Sequence, residues 1–317
     1  MKTVLVEPLT ISKDLLEDLA SELNQSGHSF IHYDSKPTNP AEWMERVGDA
    51  DQVILANTKM PAEVINQAPN LKYINIAFTG VDHVPVGLAK EKGILVSNAA
   101  GYSDQAVAEL VIGMTISLLR KLKLADPAVR AGGRAADFLG SEIAGKTVGI
   151  IGTGKIGKRV AELFKAFGAR LVGYNRSEHE DVKALGLTYL SLEEVLAQSD
   201  ILTVHLPQND QTKAFIGKDQ FARMKPSAIF INCARGPIID QSALVEALDS
   251  GRIAAAAIDV FDQEPPLDQE DSILSPEQTL LTPHVGYFTE EAMEKRARIV
   301  FENAVDFVQG REVKTLI

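Results

Sequence analysis

Three polar residues in the last third of the chain each stand just past an apolar run. Arg235 follows Ala228-Ile229-Phe230-Ile231-Asn232-Cys233-Ala234, Glu264 follows the run 253–261, and His284 follows Leu280-Leu281-Thr282-Pro283. Apolar runs of this length read as buried strands, and ligands of an open parallel sheet bind outside the carboxyl ends of its strands. A guanidinium there grips a planar carboxylate through a fork of donors. An imidazole moves a proton, and a carboxylate beside it favours the charged ring. Such a set suits a substrate with a carboxylate next to a reducible carbonyl, that is, a 2-keto acid.

Taken singly, each residue has an ordinary explanation. Arg235 could be a surface cation capping a helix, Glu264 before Pro265-Pro266 could serve a turn, and His284 after Pro283 could be a structural histidine. What gives them joint meaning is the arrangement that must position them. Short β-branched runs alternate with helical patterns from end to end. Candidate strands are 3–6, 30–33, 52–56, 73–77, 147–151, 170–174, 201–205, 228–232 and 255–259, with amphipathic segments such as 14–23, 156–167 and 242–248 between them. Strand–helix alternation implies parallel sheets and an α/β fold.

At 317 residues the chain suggests about two domains. A long helix over 104–124, then the polar stretch Ala131-Gly132-Gly133-Arg134, separates a first strand series from a second that starts at Thr147. The segment 290–309 is helical with an apolar face and is expected to return to the first unit. The expected division is 1–99 plus 288–317 for one domain and 100–287 for the other, with the active site in the cleft between them.

The second series opens with Val148-Gly149-Ile150-Ile151 and then Gly152-Thr153-Gly154-Lys155-Ile156-Gly157, the G-x-G-x-x-G pattern after a strand and before a helix. Its first glycine permits the tight turn, its second lets the backbone approach a pyrophosphate, and its third lets helix and strand pack closely. The helix N-terminus adds unpaired N–H groups and partial positive charge. Glycines also serve ordinary turns, but this strand–turn–helix context favours a dinucleotide. The next strand ends in Asn175-Arg176-Ser177, not in the acid that would bind the ribose 2′-OH of NAD. Asn175 and Ser177 can bond a hydroxyl or a phosphate, and Arg176 can pair a 2′-phosphate, stack on adenine or simply be solvated. NADP or NAD is expected, with NADP slightly favoured; Glu178 and Glu180 nearby weaken the preference.

Composition sets outer bounds. A net charge of −11 argues against a nucleic-acid or anionic-membrane partner, and one cysteine gives no intrachain disulfide. The apolar run 110–119 is too short to span a bilayer and ends in Arg120-Lys121, so a cytoplasmic protein is expected. The carboxylates and histidines show no metal-ligand spacing. His28, His32, His83 and His179 carry no assigned role.

Gly152–Gly157, His205-Leu206-Pro207, Asn232-Cys233-Ala234-Arg235-Gly236, Asp259-Val260-Phe261-Asp262-Gln263-Glu264-Pro265 and Thr282-Pro283-His284 stand in the order of the signatures of the D-isomer-specific 2-hydroxyacid dehydrogenases. The chain resembles that family over nearly its whole length, including Gly80-Val81-Asp82 and Asn98-Ala99-Ala100-Gly101-Tyr102-Ser103. The resemblance implies two Rossmann-like or flavodoxin-like parallel-sheet domains. It implies NAD(P)H-dependent reduction of glyoxylate, hydroxypyruvate or pyruvate to the D-2-hydroxy acid. Arg235 would bind the substrate carboxylate and polarise the keto oxygen, His284 would donate the proton, and Glu264 would hold the imidazole.

Further substrate contacts are implied for the backbone amides of Thr79 and Gly80, and expected for the side chains of Phe78 and Tyr102, with Tyr287 as a possible wall; Tyr102 reads equally as a hinge packing residue. Cofactor contacts are implied for Val107, Gly152, Gly154, Lys155, Ile156, Gly157, Asn175, Arg176, Ser177, His205, Pro207, Thr212, Cys233, Ala234, Asp259, His284 and Gly286. The resemblance implies that the helix carrying Val107, Leu110, Val111, Met114 and Leu118 forms a homodimer interface; the ordinary alternative is interdomain core. A rival from another class is a dinucleotide-sensing protein like the transcriptional corepressors that share this fold; the acidity of the chain counts against it.

Overall fold

The structure, a computed structural model, describes residues 1–25 and 28–316. In chain order the elements are β1 (Lys2–Leu5), α1 (Lys13–Gln25), β2 (Ser29–His32), α2 (Pro40–Val47), β3 (Gln52–Leu55), α3 (Ala62–Gln67), β4 (Tyr73–Ile76), α4 (Val86–Glu91), β5 (Leu95–Asn98), α5 (Asp104–Leu119), α6 (Leu122–Arg130), β6 (Thr147–Ile151), α7 (Lys155–Ala166), β7 (Arg170–Tyr174), α8 (Glu180–Lys183), β8 (Thr188–Tyr189), α9 (Leu192–Gln198), β9 (Ile201–Val204), α10 (Lys218–Arg223), β10 (Ile229–Asn232), α11 (Gln241–Asp249), β11 (Ala255–Ile258), β12 (Thr279–Leu281) and α12 (Glu290–Val308). They form two compact units, Met1–Ser103 with Thr289–Ile317, and Asp104–Phe288.

The first unit holds a five-stranded sheet in the order β2-β1-β3-β4-β5, with every pairing parallel. Strands β3 and β4 are buried along their whole length, as parallel strands covered on both faces must be. Helix α12 supplies part of that cover. Its Phe301 packs on Phe30 with ring centroids 5.4 Å apart, and Phe307 packs on Tyr73 at 4.7 Å. Asn75 in β4 donates to the Val300 carbonyl at 2.7 Å, which fixes the helix against the sheet with a buried polar bond.

The second unit holds a seven-stranded sheet in the order β12-β11-β10-β9-β6-β7-β8, again wholly parallel. Successive side chains of a strand point to opposite faces. Phe230 accordingly joins one apolar cluster with Phe221 and Leu244, while Ile229 and Ile231 join the other with Val160 and Phe164. The chain reverses direction across the sheet at β6, whose neighbours are β7 and β9, and this reversal opens a crevice at the carboxyl ends of the strands.

The helix expected over 104–124 is interrupted. Helix α5 stops at Leu119, Lys121 takes a left-handed backbone (φ 54°), and α6 starts at Leu122. The returning chain explains the stop: the Ser141 N–H donates to the Leu119 carbonyl at 3.0 Å, capping the helix end. Val107, Val111 and Met114 lie in the core of this unit, whereas α6 buries no residue and leaves Leu122, Leu124 and Val129 exposed. No helix among the described residues is long and apolar enough to cross a membrane.

Candidate active site

The turn after β6 is built by close approaches that exclude side chains. Gly152 has φ 91°, and a Cβ on it would lie 2.6 Å from the His205 carbonyl oxygen. A Cβ on Gly157 would lie 2.0 Å from the Gly152 carbonyl oxygen, so helix α7 can seat against the strand only with glycine there. Gly154 differs, because a Cβ on it would meet nothing within 4 Å. Gly154 is the N-cap of α7 and no side chain caps that helix. Open space in front of a helix N-terminus with uncapped N–H groups fits a diphosphate. Lys155 is exposed and Ile156 partly covered beside it.

At the end of β7, Asn175 is partly buried, and Arg176 and Ser177 are exposed. Asn175 Nδ2 donates to the Ser177 carbonyl at 2.8 Å, and Arg176 reaches Gln211 at 3.5 Å. Past β9, the Thr212 hydroxyl donates to the Pro207 carbonyl at 2.6 Å and closes the loop that follows His205. Past β10, Cys233 is buried with its Sγ 3.7 Å from Met114 Sδ, and burial pushes its thiol pKa up. That inertness suits a packing residue and not a nucleophile.

Arg235, Glu264 and His284 follow β10, β11 and β12, three neighbouring parallel strands whose carboxyl ends lie along one edge. Two devices set their loops. Asn232, fully buried, accepts from the Ala234 N–H at 3.0 Å and donates to the Arg235 carbonyl at 2.9 Å, which locks the turn that presents Arg235. Gly236 then runs so close to the chain after β11 that a Cβ would lie 2.0 Å from the Phe261 carbonyl carbon. The guanidinium of Arg235 also donates to the Ala234 carbonyl at 2.7 Å.

His284 sits on a strained turn, with φ 55° in a residue other than glycine. Its N–H donates to the Asp259 carbonyl at 2.8 Å, and Nδ1 stands 3.0 Å from Glu264 Oε2. Asp259, 1% exposed, holds the turn through its carboxylate. Oδ1 accepts from the Thr282 hydroxyl and from the Val285 N–H (2.9 Å), and Oδ2 from the Gly286 N–H (2.8 Å). Burial pushes the Asp259 pKa above its ordinary value, and these donors oppose the rise. Gly286 is required in turn, since a Cβ there would lie 2.9 Å from Asp259 Oδ2 and 3.6 Å from Val107 Cγ2. The Tyr287 ring packs edge-on to His284 with centroids 5.3 Å apart.

The remaining expected substrate residues lie in the first unit. Phe78 and Tyr102 are buried with ring centroids 6.1 Å apart, and the Arg296 guanidinium lies 5.9 Å from the Tyr102 ring. The Thr79 carbonyl accepts from Asn98 at 2.7 Å, while its hydroxyl is buried with no hydrogen-bond partner among the described residues. Sequence reasoning missed Asn232, Thr282 and Tyr189 as supports, the last with its hydroxyl 2.7 Å from Thr153 Oγ1 in the glycine-rich turn. Asn232 and Thr282 stood inside quoted motifs, but nothing in the sequence pointed to Tyr189.

His205 offers a test of burial in the second unit. Its Nε2 lies 3.0 Å from the Thr203 hydroxyl, and burial pushes its pKa down from 6.5 to about 3. The unfolded chain therefore takes up a proton that the native chain refuses as pH falls from 6.5 toward 3, and stability falls with it. His205→Gln should remove on the order of 1 kcal/mol of the stability lost between about pH 7 and pH 5. Urea unfolding at the two pH values measures this, and an unchanged pH dependence would contradict it.

Comparison with known proteins places this geometry. The family model described as D-isomer specific 2-hydroxyacid dehydrogenase, NAD binding domain, matches residues 112–286. The D-3-phosphoglycerate dehydrogenase of Methanocaldococcus jannaschii is 38% identical over 280 residues, which covers 87% of this chain and 53% of that protein. The chain thus spans about half the length of that relative. The glyoxylate reductase of Aeropyrum pernix is 38% identical over 281 residues, covering 86% of this chain and 83% of that protein. Among solved structures, an acyclic imino acid reductase in complex with NADPH and D-Arg aligns with a TM-score of 0.90 and 30% identity over 100% of both chains. The chain belongs to the D-isomer specific 2-hydroxyacid dehydrogenase family.

Proposed function

We propose that the protein reduces a small 2-keto acid to the D-2-hydroxy acid with NADPH or NADH, the substrate being glyoxylate, hydroxypyruvate or pyruvate. The observation that carries this reading is the Glu264–His284 pair at 3.0 Å on the same sheet edge that presents Arg235. A dinucleotide whose diphosphate is held at the Gly152–Gly157 turn would supply the hydride. Arg235 binds the carboxylate as a planar fork and draws charge from the keto oxygen. Glu264 engages Nδ1 of His284, so the ring gives its proton from Nε2 to that oxygen; general acid help of this kind is worth on the order of 10²–10⁴-fold. Phe78, Thr79, Gly80 and Tyr102 are proposed further substrate contacts, with the Thr79 and Gly80 amides as a second carboxylate anchor.

Cofactor use is proposed to be dual, with NADPH slightly favoured through Arg176. Val107, Lys155, Ile156, His205, Pro207, Thr212, Cys233, Ala234, Asp259, His284 and Gly286 are proposed contacts around it. We also propose a cytoplasmic homodimer. The exposed Leu122, Leu124 and Val129 of α6, with Leu139 beyond it, support a covered surface there.

A panel of 2-keto acids assayed with each nucleotide tests the reading. Steady oxidation of NADPH or NADH with at least one short acid is expected, whereas binding without turnover would favour a dinucleotide sensor. His284→Ala should lower kcat by at least 10²-fold while nucleotide still binds; an unchanged kcat would remove His284 as the acid. Arg235→Lys should lower kcat/KM by about tenfold or more, since a point charge cannot replace the fork, and an unaltered kcat/KM would refute that role. Asn175→Asp should move the NADH-to-NADPH preference toward NADH by about tenfold through repulsion of the 2′-phosphate. If the ratio stays where it was, Asn175 does not select the cofactor.

A further inference from the structure

Glu7 is a fully buried acid that the proposed reaction does not use. It stands just past β1. Strands β1, β3 and β4 are parallel neighbours, so Glu7 shares the carboxyl edge of the first sheet with the loops past β3 and β4. A buried carboxylate persists only where hydrogen-bond donors offset its lost hydration. Here the donors come from the loop past β3. Oε1 accepts from the Ala56 N–H at 2.9 Å and from the Thr58 N–H at 3.0 Å, and Oε2 accepts from the Thr58 hydroxyl at 2.8 Å. Lys36 Nζ stands 3.9 Å from Oε2 and donates to Asn57 Oδ1 at 2.9 Å. One side chain from β1 thereby fixes residues 56–58.

That loop supports the next one. The Met60 N–H donates to the His83 carbonyl at 3.0 Å, which ties the loop past β3 to the far end of the loop past β4. The near end is held from β5, where the Ala99 N–H donates to the Phe78 carbonyl at 3.0 Å and Asn98 Nδ2 to the Thr79 carbonyl at 2.7 Å. Between these ties lie the Thr79 and Gly80 N–H groups, which donate to no acceptor among the described residues. Successive open amides in a turn make a concavity that binds anions.

We propose that Glu7 is a positioning residue for substrate binding. Through residues 56–60 and the Met60–His83 bond it sets the loop that presents the Thr79 and Gly80 amides. The inference rests on the proposed 2-keto acid reading, in which those two amides are the second anchor of the substrate carboxylate. Glu7 itself touches no reacting atom. The substrate carboxylate keeps its charge from the ground state to the transition state, so the amides bind both alike. Displacing them therefore raises KM and leaves kcat in place.

Steady-state kinetics with glyoxylate, hydroxypyruvate and pyruvate, read on the acid that the wild type reduces fastest, test this with Glu7→Leu, Glu7→Gln and Thr58→Val. Fluorescence titration of NADPH and NADH runs beside them. Leucine accepts no hydrogen bond. Glu7→Leu should raise the keto-acid KM by about tenfold, the worth of one hydrogen bond to a charged group. Its kcat and its nucleotide affinities should stay within about twofold of the wild type. Glu7→Gln keeps an oxygen for both amides and should restore KM. Thr58→Val removes only the hydroxyl bond and should raise KM by about threefold; it decides the matter if Glu7→Leu does not fold. A wild-type KM in folded Glu7→Leu, or in Thr58→Val where that variant decides, overturns the role of Glu7. So does a loss of nucleotide affinity that matches the rise in KM, since that marks general loosening. Failure of the wild type to reduce any of the three acids overturns the 2-keto acid reading and this inference with it.

Discussion

A single buried carboxylate carries the geometry of the turn that presents His284. Asp259 accepts from the Thr282 hydroxyl and from the Val285 and Gly286 amides, and its own carbonyl takes the His284 N–H. Those bonds span the turn on both sides of His284 and hold that residue at a left-handed φ of 55°, a conformation that side chains other than glycine avoid. The strain has a use: it aims the imidazole so that Nδ1 meets Glu264 and packs Tyr287 edge-on to the ring. Without the carboxylate, two amides and a hydroxyl would be left buried and without an acceptor, at a cost of about 1–3 kcal/mol each. Burial raises the Asp259 pKa, so the same group is held in place only because its donors repay part of its desolvation.

Around that anchor, close backbone approach sets the positions of the other groups. Gly157 lets α7 rest on the Gly152 carbonyl, and Gly236 lets the Arg235 turn touch the chain at Phe261. In both places a methyl group would collide with backbone, which cannot move aside as a flexible side chain can. The glycines thus act as distance constraints between neighbouring strand ends, and the polar residues inherit their spacing from the sheet, whose strands lie about 4.8 Å apart.

Much of the architecture was legible in the sequence, for a physical reason. Strands covered on both faces need unbroken apolar runs, as in Thr147–Ile151 and Ile229–Asn232, and such runs stand out. The positions of Arg235 and His284 just past strands could be read the same way. Other features left no trace. Strand β8 is two residues long, too short to show a period, yet it carries the Tyr189 hydroxyl that joins Thr153 to His179. No glycine or proline marks the break at Lys121, because its cause is the distant Ser141 amide that caps α5. Asp259 was legible as a candidate cofactor contact, but its hold on residues 282–286 depends on the pairing of β11 with β12 and on which side chain faces the turn.

In the proposed reaction Arg235 and the His284–Glu264 pair act on one substrate, the first on its carboxylate and the second on its keto oxygen. A crystal structure with NADH and oxamate, an unreactive planar analogue of a 2-keto acid, tests it most directly. The analogue's carboxylate is expected on the Arg235 guanidinium and its carbonyl oxygen within hydrogen-bond distance of His284 Nε2, with Nδ1 still on Glu264. An analogue bound away from Arg235, or an imidazole turned from the carbonyl oxygen, would contradict it.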